Sequence, residues 1–163
     1  MTDDGPKHRG TVFTGMLPPG GFPPIDRAAE ARAVIMRMFA QDAFSKWLGI
    51  EVVEVDAGRC VLRMPVRGEM TNGFGTAHGG IVFALADTAL AFCTNADGDT
   101  SVALDCTISY PAAVRPGDVL TATGVQETTS RKVGFAAVTV VNQDGVTVGH
   151  FRGTVYRTLK PHP

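Results

Sequence analysis

The 163-residue sequence has few cysteines and almost no excess of charge of either sign. Its three cysteines, Cys60, Cys93 and Cys106, are an odd number without Cys-x-x-Cys spacing, which argues against a disulfide framework and a structural zinc site. We interpret them as small buried residues in a reducing compartment. The 15 basic and 16 acidic residues give a net charge of -1, without the basic stripe that nucleic acid or an anionic membrane would require.

Long hydrophobic runs are also missing. No run approaches the roughly 20 apolar residues that span a bilayer, and the start of the chain, Met1 to Asp4, is acidic where a secretory signal would be basic and then apolar. We therefore expect a cytoplasmic protein with neither a membrane nor a nucleic-acid partner. Nor do His8, His150 and His162 have the spacing of metal ligands.

What the chain does have is enough apolar sequence for one core, since 44% of its residues are hydrophobic and 19% are charged. Half of the ten prolines and five of the 19 glycines lie in the first 24 residues, where no helical or strand period is found. We predict a flexible arm over residues 1–24 and a single domain over residues 25–160. The domain opens with a helix, capped by Asp26 and continuing to Trp47, because apolar residues recur there every three or four positions; Leu48-Gly49 ends it.

Six strands and a second helix are predicted after this. Alternating runs at 50–55 and 60–66, separated by Asp56-Ala57-Gly58, predict a hairpin. The stretch 81–95 is apolar almost all round, which is typical of a buried central helix. Four further strands are predicted at 102–110, 119–128, 133–141 and 146–158. This order predicts an α+β fold in which an antiparallel sheet wraps around one long helix.

Asp87 is the most informative residue of the predicted central helix. Its neighbours at three and four positions, Phe83, Ala84, Leu90 and Ala91, are all apolar. A carboxylate in such surroundings is costly unless it is hydrogen-bonded, paired or used. Two interpretations follow: a buried structural aspartate that caps a neighbouring loop, or a general base or nucleophile whose basicity is raised by the scarcity of water.

The segment His78-Gly79-Gly80 comes at the start of the same helix. The first amides of a helix lack intrahelical partners, and a glycine lets a substrate oxygen approach them closely. Backbone amides of this kind can form an oxyanion hole. A flexible loop explains the glycines equally well, and Asn72-Gly73 upstream is first a turn signal. Their presence together with Asp87 favours the functional interpretation.

The distance between these groups predicts a shared site. Gly79 and Asp87 are eight residues apart, so their backbones lie roughly 12 Å apart along one helix. A donor amide and a carboxylate must both come within about 3 Å of the reacting carbonyl or its attacking water. We expect Gly79 of one subunit to face Asp87 of another, in a homodimer with shared active sites.

These residues also carry a family resemblance. The matching segments are Met70-Thr71-Asn72-Gly73, His78-Gly79-Gly80, 83–89, Thr107-Ile108-Ser109-Tyr110, Arg115-Pro116-Gly117-Asp118 and Phe151-Arg152-Gly153-Thr154. Over about residues 35–158 the sequence resembles the PaaI-type hotdog-fold acyl-CoA thioesterases. The resemblance implies a hotdog fold, dimers that pair into a homotetramer, and hydrolysis of acyl-CoA without a metal or bound cofactor.

The resemblance also implies roles for individual residues. Asp87 would activate water or attack directly, Gly79 would donate its amide to the thioester oxygen, Asn72 would help to polarise that carbonyl, and His78 would support the leaving thiolate. Many relatives carry a hydroxyl residue on the strand after the helix to hold the water. The nearest position here is Ala103, which leaves Thr88 or solvent as substitutes.

The candidate substrate-binding residues come from two parts of the sequence. We place Arg131 and Lys132 against the CoA phosphates, with Gly80, Thr88, Val133 and Gly134 as further contacts; an ordinary solvated basic turn at residues 130–132 is the alternative. The family's association with phenylacetate degradation suggests an aryl-acetyl or hydroxyphenylacetyl group. Two other functions stay open, a non-catalytic acyl-CoA-binding or regulatory domain and a hotdog hydratase, although His78 fits the hydratase poorly.

Overall fold

The structure is a computed structural model that describes residues 26–162, so the predicted arm lies outside the described residues. Its elements are, in chain order, α1 (Arg27–Gln41), α2 (Ala43–Leu48), β1 (Glu51–Asp56), β2 (Arg59–Pro65), a short 3₁₀ turn (Gly68–Met70), α3 (Gly79–Asn95), β3 (Asp99–Ser109), β4 (Val119–Thr129), β5 (Val133–Val141) and β6 (Thr147–Pro161).

The six strands form one antiparallel sheet in the order β1-β2-β4-β5-β6-β3. Helix α3 packs on one face of it and buries ten of its 17 residues. The core between them includes Leu62, Leu85, Leu90, Phe92, Leu120, Val138 and Phe151. The predicted α+β arrangement, a sheet wrapped around one long helix, is confirmed. The last strand in the sheet order, β3, has a neighbour within this chain on one side.

The prediction of a single N-terminal helix up to Trp47 is wrong, because the helix is interrupted at Asp42. The Asp42 carboxylate accepts a hydrogen bond from the Ser45 backbone N–H at 2.9 Å, so Asp42 caps the new helix α2. An aspartate competes for backbone hydrogen bonds in this way and favours a cap over a helix interior. The predicted cap at Asp26 is confirmed by its hydrogen bond from Ala29 N–H, and Gly49 ends α2 at φ 78°.

Two glycines allow α3 to lie close against the sheet. A methyl group built on Gly153 of β6 would lie 2.4 Å from Leu90 Cδ2, and one built on Gly124 of β4 would lie 2.9 Å from the Ala89 carbonyl oxygen. Both distances are shorter than van der Waals contact. The position of α3, and of every side chain that it carries, therefore depends on these two glycines.

Candidate active site

The loop before α3 is held together by Asn72. Its Oδ1 accepts from Phe74 N–H at 2.8 Å, and its Nδ2 donates to Thr76 Oγ1 at 2.9 Å and, more weakly, to the Ala77 carbonyl at 3.4 Å. The side chain is half-buried. Asn72 thus has a structural role within the loop, and the long bond to Ala77 is the one that a substrate carbonyl could replace.

His78 is the N-cap of α3. Its Nδ1 accepts a hydrogen bond from Gly80 N–H at 3.0 Å, so the neutral ring carries its proton on Nε2. The Gly80 amide is therefore engaged, which does not favour the prediction that it contacts the substrate. In the described part of the chain the Gly79 N–H has no acceptor. The structure leaves Gly79 as the available amide at this helix end, and its predicted role as oxyanion donor stays a prediction.

Tyr110, which follows β3, covers the same helix end. Its hydroxyl donates to the Gly79 carbonyl oxygen at 3.0 Å, and its ring lies 3.3 to 3.6 Å from the position of a Cβ on Gly79. Tyr110 belongs to one of the family-like segments, but the sequence alone indicated no role for it. Nothing in local periodicity could reveal the contact, since the two residues are 31 positions apart.

Asp87 lies half-buried on the side of α3 that faces β3. Its Oδ1 accepts a hydrogen bond from the Cys106 thiol, with 3.8 Å between sulfur and oxygen. Burial raises the pKa of Asp87, and the bond from Cys106 opposes that rise. No salt bridge reaches this carboxylate within residues 26–162. The loop-capping interpretation thus finds no support, and a carboxylate that is short of water and without a cation suits general base chemistry.

Cys106 is the second residue that sequence reasoning missed. We interpreted all three cysteines as buried apolar residues; this is correct for Cys60 and Cys93 and wrong for the half-buried Cys106. Burial, followed by the charge of Asp87, raises the pKa of Cys106 to about 11. The thiol therefore stays protonated at neutral pH and can donate to the carboxylate.

Neither residue considered for holding the water offers a free hydroxyl. Thr88 is buried, donates to the Ala84 carbonyl at 3.0 Å and lies 3.2 Å from Ser45 Oγ, so its hydroxyl faces α2. Ala103 is exposed at an irregularity of β3 and offers no hydroxyl. This packing does not favour the predicted contact of Thr88 with substrate, since its hydroxyl is already engaged by the Ala84 carbonyl and Ser45.

The predicted CoA-binding residues lie in and after the turn between β4 and β5. Lys132 Nζ donates to Tyr156 Oη at 3.1 Å and lies over that ring, while Arg131 is exposed. Val133 is half-buried and Gly134 is buried, with its α-carbon facing Val155. The two basic residues are thus accessible, whereas Gly134 is a packing residue of the sheet.

Residues 26–162 contain no group of three or more His, Cys, Asp or Glu side chains arranged to hold a metal ion. Across the same range, none of the helices is both long enough and apolar enough to cross a membrane.

Comparison with known proteins identifies the family. The sequence model of the thioesterase superfamily matches residues 74–149. The acyl-coenzyme A thioesterase PaaI of Escherichia coli K12 is 40% identical over 120 residues, which cover 74% of this chain and 86% of that protein. Acyl-coenzyme A thioesterase 13 of Homo sapiens is 30% identical over 116 residues, which cover 69% of this chain and 82% of that protein.

Solved structures agree with the sequence matches. The E. coli PaaI protein superposes with a TM-score of 0.81 at 36% identity, covering 82% of this chain and 97% of that chain. A hypothetical thioesterase of Streptococcus pneumoniae TIGR4, solved with coenzyme A, superposes with a TM-score of 0.73 at 29% identity, covering 78% of this chain and 99% of that chain. The chain therefore belongs to the PaaI-type acyl-CoA thioesterases of the thioesterase superfamily, and it is a hotdog-fold enzyme that hydrolyses acyl-CoA thioesters.

Proposed function

We propose that the enzyme acts on compact aryl-acetyl-CoA thioesters, such as phenylacetyl-CoA or hydroxyphenylacetyl-CoA, with Asp87 as its base or nucleophile. The catalytic role of Asp87 is supported by its half-buried carboxylate, which has a thiol rather than a cation as its hydrogen-bond partner. The substrate class is supported by the similar E. coli PaaI protein, which comes from a phenylacetic acid degradation operon.

In the general base route, Asp87 takes a proton from a water molecule whose oxygen attacks the thioester carbonyl carbon. In the nucleophilic route, a carboxylate oxygen attacks that carbon, and water then cleaves the resulting anhydride. Either way the carbonyl oxygen becomes negative and is stabilised by the free Gly79 N–H, helped by Asn72. Collapse of the tetrahedral intermediate expels the CoA thiolate, which the Nε2–H of His78 can stabilise. The thiolate takes up the proton that the attacking water gave up, and the products are a free acid and CoA.

Each site is proposed to need two subunits. Tyr110 contacts Gly79 and Cys106 contacts Asp87, so both groups lie along the edge of the sheet formed by β3. On that 11-residue strand the apolar side chains of Val102 and Leu104 are 49% and 62% exposed. A long apolar edge strand favours pairing with another chain. A second copy across this edge, in antiparallel orientation, would bring Gly79 towards the partner subunit's Asp87.

We propose that Arg131 and Lys132 meet the CoA phosphates, because both lie at an exposed turn and an arginine or lysine binds phosphate well. We also propose that dimers pair into a homotetramer, that the enzyme works in the cytoplasm, and that it needs neither a metal nor a cofactor. Sedimentation of the purified chain tests the assembly.

A screen of acyl-CoAs tests the substrate class. Purified full-length enzyme is assayed for thiol release from aromatic, short-chain and medium-chain acyl-CoAs, and kcat/KM should be highest for the aryl-acetyl thioesters. The Asp87→Asn variant should lose at least about 100-fold in kcat, the scale of losing one essential catalytic interaction. Asp144→Asn, in the exposed turn between β5 and β6, is the matched control and should keep full activity. Near-normal turnover by Asp87→Asn would eliminate the mechanism.

Subunit mixing tests the shared site. Asp87→Asn chains are unfolded and refolded together with Gly79→Val chains, each inactive alone. If a site combines Gly79 of one subunit with the partner's Asp87, each hybrid dimer contains one intact site, and an equal mixture should recover about a quarter of the wild-type rate. No recovery would contradict a shared site. In single-turnover hydrolysis in oxygen-18 water, label in Asp87 would establish attack by the carboxylate, because only the anhydride route can transfer the label to that side chain.

A further inference from the structure

Tyr110 and His78 hold the two ends of one peptide group at the start of α3. The Tyr110 hydroxyl donates to the Gly79 carbonyl oxygen at 3.0 Å. The N–H of the same peptide group, which belongs to Gly80, donates to His78 Nδ1 at 3.0 Å. A continuous chain of hydrogen bonds therefore runs from the tyrosine hydroxyl through the peptide to the imidazole ring. Hydrogen bonds in such a chain polarise and strengthen one another.

The helix end needs this support because of its composition. Two consecutive glycines give the backbone its widest conformational freedom, and the first amides of a helix lack intrahelical partners. An oxyanion donor works only if it is already placed at about 2.7 to 3.1 Å from the developing charge. A first turn that frays would lose that placement, so contacts from outside the helix have to fix it.

The tyrosine is suited to the task. Its ring packs against the open face of Gly79, where a Cβ would lie 3.3 Å from Cζ and 3.4 Å from Oη. Partial burial raises the pKa of Tyr110, so the phenol keeps its proton and donates throughout the neutral range. Tyr110 also follows β3, the strand that carries Cys106 against Asp87. One strand thus supports both candidate catalytic groups of this chain.

We infer that Tyr110 is a positioning residue of the reaction: through the Gly79–Gly80 peptide group it fixes the Gly79 amide and the ring of His78. The inference rests on the proposed roles of Gly79 and His78. It assigns Tyr110 no contact with the substrate, and it predicts an effect on turnover rather than on substrate binding.

The test is the Tyr110→Phe variant of the full-length enzyme, which keeps the ring and removes only the hydroxyl. We expect kcat to fall about 3- to 10-fold, the worth of one hydrogen bond, with KM within about twofold of wild type. Nitrogen-15 NMR of the His78 ring supplies a second readout. The Nδ1 resonance should shift towards that of an imidazole without a hydrogen bond, because the Gly80 N–H becomes a weaker donor. Asp144→Asn, in the exposed turn between β5 and β6, is again the control and should leave both kcat and the His78 resonance unchanged.

Unchanged kcat and an unchanged His78 resonance in Tyr110→Phe would overturn the inference. A lower thermal midpoint with neither of those changes would also overturn it, since that result shows a purely structural hydroxyl. Failure of the proposed function looks different: turnover by Asp87→Asn would remain near normal. The His78 resonance still tests the hydrogen-bond chain in that case, because it does not depend on turnover.

Discussion

A methyl group at Gly153 tests how closely α3 must lie against the sheet. In Gly153→Ala the new Cβ would lie 2.4 Å from Leu90 Cδ2 and 2.9 Å from Cδ1. Non-bonded carbon atoms prefer a separation of about 3.5 to 4.0 Å, so the new Cβ and Leu90 Cδ2 have to move apart by roughly 1 Å. Leu90 is 1% exposed and cannot turn into solvent. Either its rotamer changes within the packed core or α3 moves away from β6.

This geometry predicts a large loss in the free energy of unfolding for Gly153→Ala. Overpacking of a core typically costs about 1 to 3 kcal/mol, and we expect about 3 kcal/mol because the contact is with a fully buried side chain. Leu90→Ala alone should cost about 2 to 5 kcal/mol through the cavity that it leaves. In the double variant the new methyl group occupies part of that cavity. The combined cost should therefore be smaller than the sum by at least about 1 kcal/mol.

The assay is urea unfolding followed by far-ultraviolet circular dichroism. All variants are measured at one protein concentration, because the proposed assembly would contribute to stability. Gly68→Ala is the matched control, since a Cβ there meets nothing within 4 Å, and it should change stability by less than about 0.5 kcal/mol. Turnover should fall too, since Leu90 lies one helical turn after Asp87. A cost below about 0.5 kcal/mol for Gly153→Ala, or additive costs in the double variant, would refute the reasoning.

Three further predictions concern single side chains. Burial raises the pKa of Asp87 above its ordinary value of 3.8. At a pH above the folded-state pKa the carboxylate is ionised, and its charge lowers the free energy of unfolding; below pH 3.8 it is protonated in both states, and this effect is absent. Asp87→Asn should therefore raise the thermal midpoint at pH 7 more than at pH 3; an equal or opposite effect would contradict this. Cys106→Ala removes a hydrogen bond that lowers the pKa of Asp87, so the acid limb of the pH profile of kcat/KM should move to higher pH. The shift should be smaller in Cys106→Ser, which keeps a donor. A move to lower pH would show that the thiol is not the donor. Asp42→Ala removes the cap of α2 and should cost about 1 kcal/mol in urea unfolding, with little loss in Asp42→Asn.

Much of the fold could be predicted because its signals are local. The cap at Asp26, the apolar run of α3, the hairpin residues 56–58 and the alternation of β5 each depend on neighbours along the chain. The error at Asp42 is also local. Its carboxylate caps Ser45, three residues later, and the apolar period continues across the interruption, so periodicity alone joins two helices into one.

The candidate site could be predicted only in part. Gly79 and Asp87 were identified because both lie on one helix, where spacing and the apolar neighbours of Asp87 are visible in the chain. The direction of Thr88 was not predictable, since it depends on how α2 packs against α3. The same is true of Gly134, which an exposed basic turn suggested as a ligand contact and which the sheet buries.

By itself, the sequence determined the order of the strands and the helix that carries Asp87, because these follow from hydrogen bonding and periodicity within short segments. Only the tertiary structure decided what surrounds them. Cys106 meets Asp87 across 19 residues and Tyr110 meets Gly79 across 31, since β3 packs along α3. Such contacts depend on where two segments come together in the core, and no local pattern in either segment encodes that.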